Sequence, residues 1–220
     1  MKLLKSLFSA SIIAMLLCNV ASAEESIKID PDKSLQSLIK GNERFVNLHL
    51  KHPDQTGKKR AEMVKGQHPF AVILSCSDSR VPPEILFDQG LGDLFVVRIA
   101  GNILDDDVLG SIEYAVEHLG VSLVVVLGHE KCGAVIAAVK GVNQVCHIQS
   151  LVKRLQPAVD QAKTEKGDIT DNAIHDNIQM DVNNLKKSEP ILAEYVKAGN
   201  LKIVGSYYHL NNGKVDFISP

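Results

Sequence analysis

The sequence predicts an α/β fold: one mostly parallel central sheet, an antiparallel edge strand, and helices on both faces. Three observations lead there. Short continuous apolar runs rich in β-branched residues alternate with longer stretches of helical period, the order expected of right-handed crossovers. The last such run is followed by Asn211-Asn212-Gly213 and a further strand-like stretch, which predicts a hairpin. No repeat or Pro/Gly/Ser-rich linker interrupts residues 24–220, so they read as a single domain.

Residues 1–23 are set aside because they have the layout of an export signal. Lys2 and Lys5 form a positive end, and the apolar stretch Leu7 to Leu17 is short for a membrane span. It runs into Ala21-Ser22-Ala23, a pattern cut after Ala23. The mature chain would begin at Glu24, periplasmic or secreted, with no membrane attachment after cleavage. An uncleaved anchor and a lipoprotein at Cys18 compete less well, the latter because bulky Leu17 precedes the cysteine.

Next, Leu35, Leu38, Ile39, Phe45, Val46 and Leu48 mark an amphipathic helix with enough apolar surface to pack on a partner subunit. Phe70 to Leu74, Leu94 to Val97, Leu123 to Leu127 and Ile203 to Ser206 are the buried strands. Helical patterns occupy Val108 to Leu119 and a long stretch from Asp171 to Ala198. Val204 to Leu210 and Lys214 to Ile218 are the arms of the hairpin.

Charge narrows the ligand class: with a formal net charge of −2 and acids and bases interspersed, the chain offers no face for nucleic acid. A small ligand is expected. Removing the signal leaves Cys76, Cys132 and Cys146, an odd number that argues against a disulfide framework in an oxidising compartment. Cys146 reads as an ordinary buried thiol.

Two segments begin where a strand run stops: Cys76-Ser77-Asp78-Ser79-Arg80 and His129-Glu130-Lys131-Cys132-Gly133. Loops at the carboxyl ends of neighbouring strands can converge, and a Cys, His, Cys set suits zinc. Each residue alone would be ordinary core; together they form a candidate metal centre. If Asp78 pairs with Arg80, the fourth zinc position stays open, whereas an Asp78 released from Arg80 could bind the metal in a closed state. Two thiolates offset the charge of the ion, so the bound water should be less acidic than on three histidines and activity should rise toward alkaline pH.

Cys-x-Asp-x-Arg followed by His-x-x-Cys-Gly resembles the β-carbonic anhydrases. The resemblance extends to Gly41-Asn42-Glu43-Arg44-Phe45, Gly66-Gln67-His68-Pro69, Val81-Pro82, the run Phe95 to Asn102, and Ser111 to Val116. It implies the β-carbonic anhydrase fold and reversible hydration of carbon dioxide to bicarbonate and a proton by a zinc-bound hydroxide. Within that resemblance Cys76, His129 and Cys132 bind one Zn2+ per chain, and Asp78 and Arg80 orient the hydroxide. Gln67 matches the plant-like branch, as in an exported bacterial type, where it holds a substrate oxygen. Phe95, Ala100 and Tyr114 line an apolar carbon dioxide pocket.

The resemblance also implies a homodimer or a dimer of dimers. Ile99, Glu130 and Lys131 depart from common family choices without removing a ligand, and the absence of tryptophan argues against the bicarbonate-inhibited, closed branch. His49, His52 and His68 are candidate proton carriers only because imidazole titrates near neutrality. Rival readings are hydrolysis of carbon disulfide or carbonyl sulfide on the same site, and a non-catalytic zinc module that binds a partner. A redox thiol protein is disfavoured because no Cys-x-x-Cys is present.

Overall fold

In the computed structural model the described residues are 30–141 and 146–218, so the segment read as an export signal lies outside them. The apolar runs become β1 (Ala71–Ser75), β2 (Leu94–Arg98), β3 (Leu123–His129), β4 (Lys202–Tyr208) and β5 (Val215–Ile218). They form a five-stranded sheet in the order β2-β1-β3-β4-β5. The first four are parallel, and β5 runs antiparallel to β4 with Val215 opposite Tyr208. The antiparallel edge strand is therefore present, and Gly213 of the connecting loop has a φ of 79°.

The helices are α1 (Pro31–Val46), α2 (Gly57–Met63), α3 (Pro83–Leu86), α4 (Asp106–Leu119), α5 (Gly133–Lys140), α6 (Ile148–Ala162), α7 (Ile169–Lys186) and α8 (Ile191–Lys197). Their ends follow from local chemistry. Asp105 accepts the Val108 amide at 2.9 Å to start α4, and Gly120, at a φ of 71°, stops it. The single helical stretch expected over 171–198 is two helices, because Pro190 lacks an N–H and also restricts the residue before it. Sequence reading assigned no element to α6, whose apolar face of Val152, Leu155, Val159 and Ala162 carries Pro157 within it.

Side chains alternate across the sheet. Val72, Leu74, Val124, Val126 and Ile203 belong to a core shared with α4 to α8; Ala71, Ile73, Leu123, Val125 and Leu127 belong to one shared with α1 and α3. On the first face α7 comes very close to the sheet. A Cβ on Gly128 or Gly205 would lie 2.5 or 2.6 Å from carbons of Ile178, so only glycine lets that helix rest on β3 and β4.

On the opposite face one polar side chain fastens α1. Buried Asn42 donates to the carbonyls of Leu86 and Gly213 at 3.1 and 2.9 Å and accepts the Val215 amide at 2.8 Å. Asn42→Ala should cost about 3 kcal/mol, because three backbone groups lose their partner in a dry place. Urea denaturation measures this; a loss within 0.5 kcal/mol, roughly the scatter of surface substitutions, would show that water replaces the amide.

Candidate metal centre and active site

β1 and β3 are neighbours, with Ser75 beside Leu127, so the chain leaves both strands at the same edge. There the Cys76 and Cys132 sulfurs lie 3.9 Å apart, and with a ring nitrogen of His129 all three ligand atoms fall within 4.8 Å of one another. All three residues are buried. The Nδ1 of His129 is 2.9 Å from the Glu130 carbonyl oxygen, which can only accept, so Nδ1 carries the proton. Its Nε2 then presents a lone pair, and that buried atom has no hydrogen-bond partner.

A buried acceptor without a partner is costly unless something else occupies it. Two sulfurs beside an imidazole lone pair are the borderline-soft set zinc prefers, so the residues fit the ion. The acid–base balance agrees. The Cys132 thiol, His129 and the amides of Gly101 and Asp78 all pull the Cys76 thiol well below its usual range. Cys132 is pushed up by that same neighbour and by burial, since two adjacent thiolates repel without a cation between them. Cys132 also opens α5, where exposed backbone amides favour negative charge.

Asp78 and Arg80 form the expected pair. Arg80 Nε donates to Oδ1 at 2.9 Å and Nη2 to Oδ2 at 2.7 Å, and the Arg80 amide adds a third bond at 3.0 Å. Those bonds hold the Asp78 carboxyl down to about 2. Its Oδ2 stands 4.0 Å from His129 Nε2, beside the triad but committed to the arginine.

Sequence reasoning gave Arg98 no role, yet it fixes the Cys76 loop. Its Nε donates to the Cys76 carbonyl at 3.0 Å and its Nη2 to the Asp78 carbonyl at 2.7 Å. A signal existed: a charged residue ends an apolar strand at the sheet edge where the ligands collect. Gly101 was missed as well. Its amide donates to Cys76 Sγ at 3.2 Å, and the Asp78 amide approaches the same sulfur at 3.4 Å.

Among the expected pocket residues, Ala100 opens the short 3-10 turn Ala100–Asn102 that carries this Gly101 amide. Half-buried Phe95 lies 6.4 Å, ring to ring, from Tyr114, which is 48% exposed. Gln67 is exposed and lies on a shallow cleft of about 450 Å³ with Arg60, Met63, Val64 and Leu91, apart from the ligand cluster. His49, His52 and His68 are all exposed. Cys146 corrects the expectation of a buried thiol: it is exposed, just before α6.

The chain is similar to known proteins over most of its length. A family model described as carbonic anhydrase matches residues 71–215. The chain is 42% identical over 189 residues to carbonic anhydrase 2 of Mycobacterium tuberculosis, covering 84% of this chain and 91% of that one. It is 40% identical over 194 residues to a carbonic anhydrase of Mycolicibacterium smegmatis, covering 86% and 94%. Among solved structures, the β-carbonic anhydrase CcaA superposes with a TM-score of 0.66 at 26% identity, covering 84% of this chain and 99% of that one. The β-carbonic anhydrase CafA of Aspergillus fumigatus does so with a TM-score of 0.64 at 26% identity, covering 86% and 91%.

One more ionisable group lies on α7. Asp181 is 5% exposed, and burial pushes its carboxyl up to about 8. Unfolded, an aspartate ionises near pH ~4, so below that value the group is protonated in both states and costs nothing. Between ~4 and about 8 the folded chain retains a proton that the unfolded chain releases, and stability falls as pH rises through that window. Asp181→Asn should therefore raise the melting temperature more at pH ~8.5 than at pH ~5. Equal shifts at the two pH values would contradict a buried, reluctant acid.

Proposed function

The chain belongs to the β-carbonic anhydrase family, and we propose that it is a zinc enzyme interconverting carbon dioxide and bicarbonate at Cys76, His129 and Cys132. The observation that carries this reading is the unpartnered Nε2 of His129, buried and facing two cysteine sulfurs. Zinc held there would supply a Lewis acid that makes water easier to deprotonate to a nucleophile, to a growing extent toward alkaline pH.

The protein's own groups do the rest. Asp78, kept ionised by Arg80, can only accept, so it takes a hydrogen bond from the attacking oxygen and turns that oxygen's lone pair away from itself. Because Arg80 occupies both carboxylate oxygens, Asp78 is kept from becoming a fourth ligand. Arg98 and the Gly101 amide fix the loop that carries Cys76, so little reorganisation is needed during reaction. Phe95, Ala100 and Tyr114 offer an apolar wall suited to a small uncharged substrate. Water and carbon dioxide give bicarbonate plus one proton, which leaves to solvent or buffer.

The dyad weighs against a non-catalytic zinc module, since a structural site needs neither a carboxylate held off the metal nor an arginine holding it. Wild-type protein should bind one zinc per chain and hydrate carbon dioxide with a rate that rises toward alkaline pH. Asp78→Asn should keep its zinc and lose at least about 100-fold in rate. Metal analysis and stopped-flow hydration test this, with carbonyl sulfide and carbon disulfide assayed in parallel. Full zinc with no hydration overturns the assignment, and sulfide release without hydration moves it to the sulfur analogues.

Two further readings concern the whole chain. Among the described residues the outer edge of β2 is unpaired, Leu94 to Val97 are half-buried, and Val64, which shares a cleft with Leu91 and Gly92 just before β2, is 85% exposed. A second copy covering that edge would bury this surface and give Gln67 an active site to serve, which makes a homodimer the unit of function. Residues 1–23 are removed on export, and the mature chain starts at Glu24 outside the cytoplasm. Sedimentation and N-terminal sequencing of the exported protein should show a dimer or dimer of dimers beginning at Glu24. A monomer contradicts the first reading, and an intact Met1 the second.

A further inference from the structure

The Gly101 amide that reaches Cys76 comes from an unusual turn. Gly101 and Asn102 both have left-handed backbones, with φ of 74° and 42°, a region that glycine adopts freely and asparagine less readily. The turn is also hemmed in, since a Cβ on Gly101 would sit 3.1 Å from Leu155 and 3.2 Å from Ala134. A conformation of this kind persists only where its surroundings hold it.

What holds it comes from α7. Asn177, 5% exposed, donates through Nδ2 to the Gly101 carbonyl at 3.1 Å. The same nitrogen lies 3.3 Å from Asp181 Oδ2, one helical turn further on. Asn102 adds no hydrogen bond through its own buried Nδ2, although it stands close enough to Asp181 to favour that group's charged form slightly. Asn177 neighbours Ile178, the side chain that seats α7 against Gly128 and Gly205, so its own place is fixed to the sheet.

A continuous path follows: Asp181 accepts from Asn177, Asn177 holds the Gly101 carbonyl, and the Gly101 amide donates to the Cys76 sulfur. We propose that Asn177, oriented by Asp181, is a positioning residue for Cys76, holding the Gly101 turn so that its amide stays on the ligand sulfur. The proposal rests on the zinc reading above. A donor fixed on a thiolate sets both its position and its electron density, and partners of this kind typically change metal affinity by about 10–100-fold when lost. The charge of Asp181 is immaterial, because its oxygen accepts in either state.

The test uses the full mature chain, zinc competition against a chelator, and the sulfur-to-cobalt charge-transfer band of cobalt-substituted protein. Asn177→Ala should weaken zinc binding by about tenfold and shift the band. Asp181→Asn, whose amide oxygen can still accept from Asn177, should keep the wild-type affinity to within about twofold, within typical context scatter, as should the exposed control Asn184→Ala. Asp181→Leu removes the acceptor together with a reluctant buried acid, so it should fold and still lose affinity and shift the band; it decides the matter where Asn177→Ala does not fold. Folded variants with unchanged zinc affinity and an unmoved band overturn the proposal and leave Asn177 a packing residue. A wild-type chain that takes up no zinc would instead fail at the metal assignment.

Discussion

Two sulfurs and an imidazole lone pair share a dry space at the end of the sheet, and among the described residues no group satisfies all three. With 3.9 Å between the sulfurs, the Cys132 thiol can donate to a Cys76 thiolate but two thiolates repel, so Cys76 is drawn toward its charged form while Cys132 is pushed away from it. A divalent cation resolves the conflict, neutralising both sulfurs and occupying the free Nε2. The surrounding structure holds that arrangement ready. Parallel pairing of β1 with β3 brings the two loops together, and Cys132 stands at the N-cap of α5.

The groups around the ligands are held as firmly as the ligands. Arg80 takes both oxygens of Asp78, and Arg98 takes the carbonyls on either side of Ser77, so the Cys76 loop has few alternatives. On the other side, the left-handed turn at Gly101 and Asn102 delivers an amide to Cys76. Its position is set from α7, a helix that reaches the sheet only because Gly128 and Gly205 lack side chains. Metal-site geometry and helix packing are therefore one problem in this chain.

The sheet is unequally covered. Five helices, α4 to α8, pack on one face, whereas α1 and the single turn of α3 cover the other and depend on Asn42 for their attachment. The edge of β2 that no described strand pairs, exposed Tyr114 and exposed Gln67 lie outside this well-packed core. The single chain thus brings its three candidate metal ligands together while leaving this surface uncovered, which is the physical ground for the proposed dimer.

The sequence alone determined the strands, the hairpin, α1, α4 and the meeting of Cys76, His129 and Cys132 as a candidate metal triad, because burial imposes a short-range pattern on strands and metal chelation restricts residue type and spacing. Asp78 and Arg80 were legible for the same reason, being two residues apart on one loop. Pattern could not show where one helical run divides, since Pro190 acts through backbone sterics, nor that Cys146 faces outward, since exposure depends on what packs nearby. Arg98, Gly101, Asn177 and Asp181 were decided only in three dimensions. They lie 22 to 105 positions along the chain from Cys76, and their hydrogen bonds exist only once the sheet and α7 have set the distances.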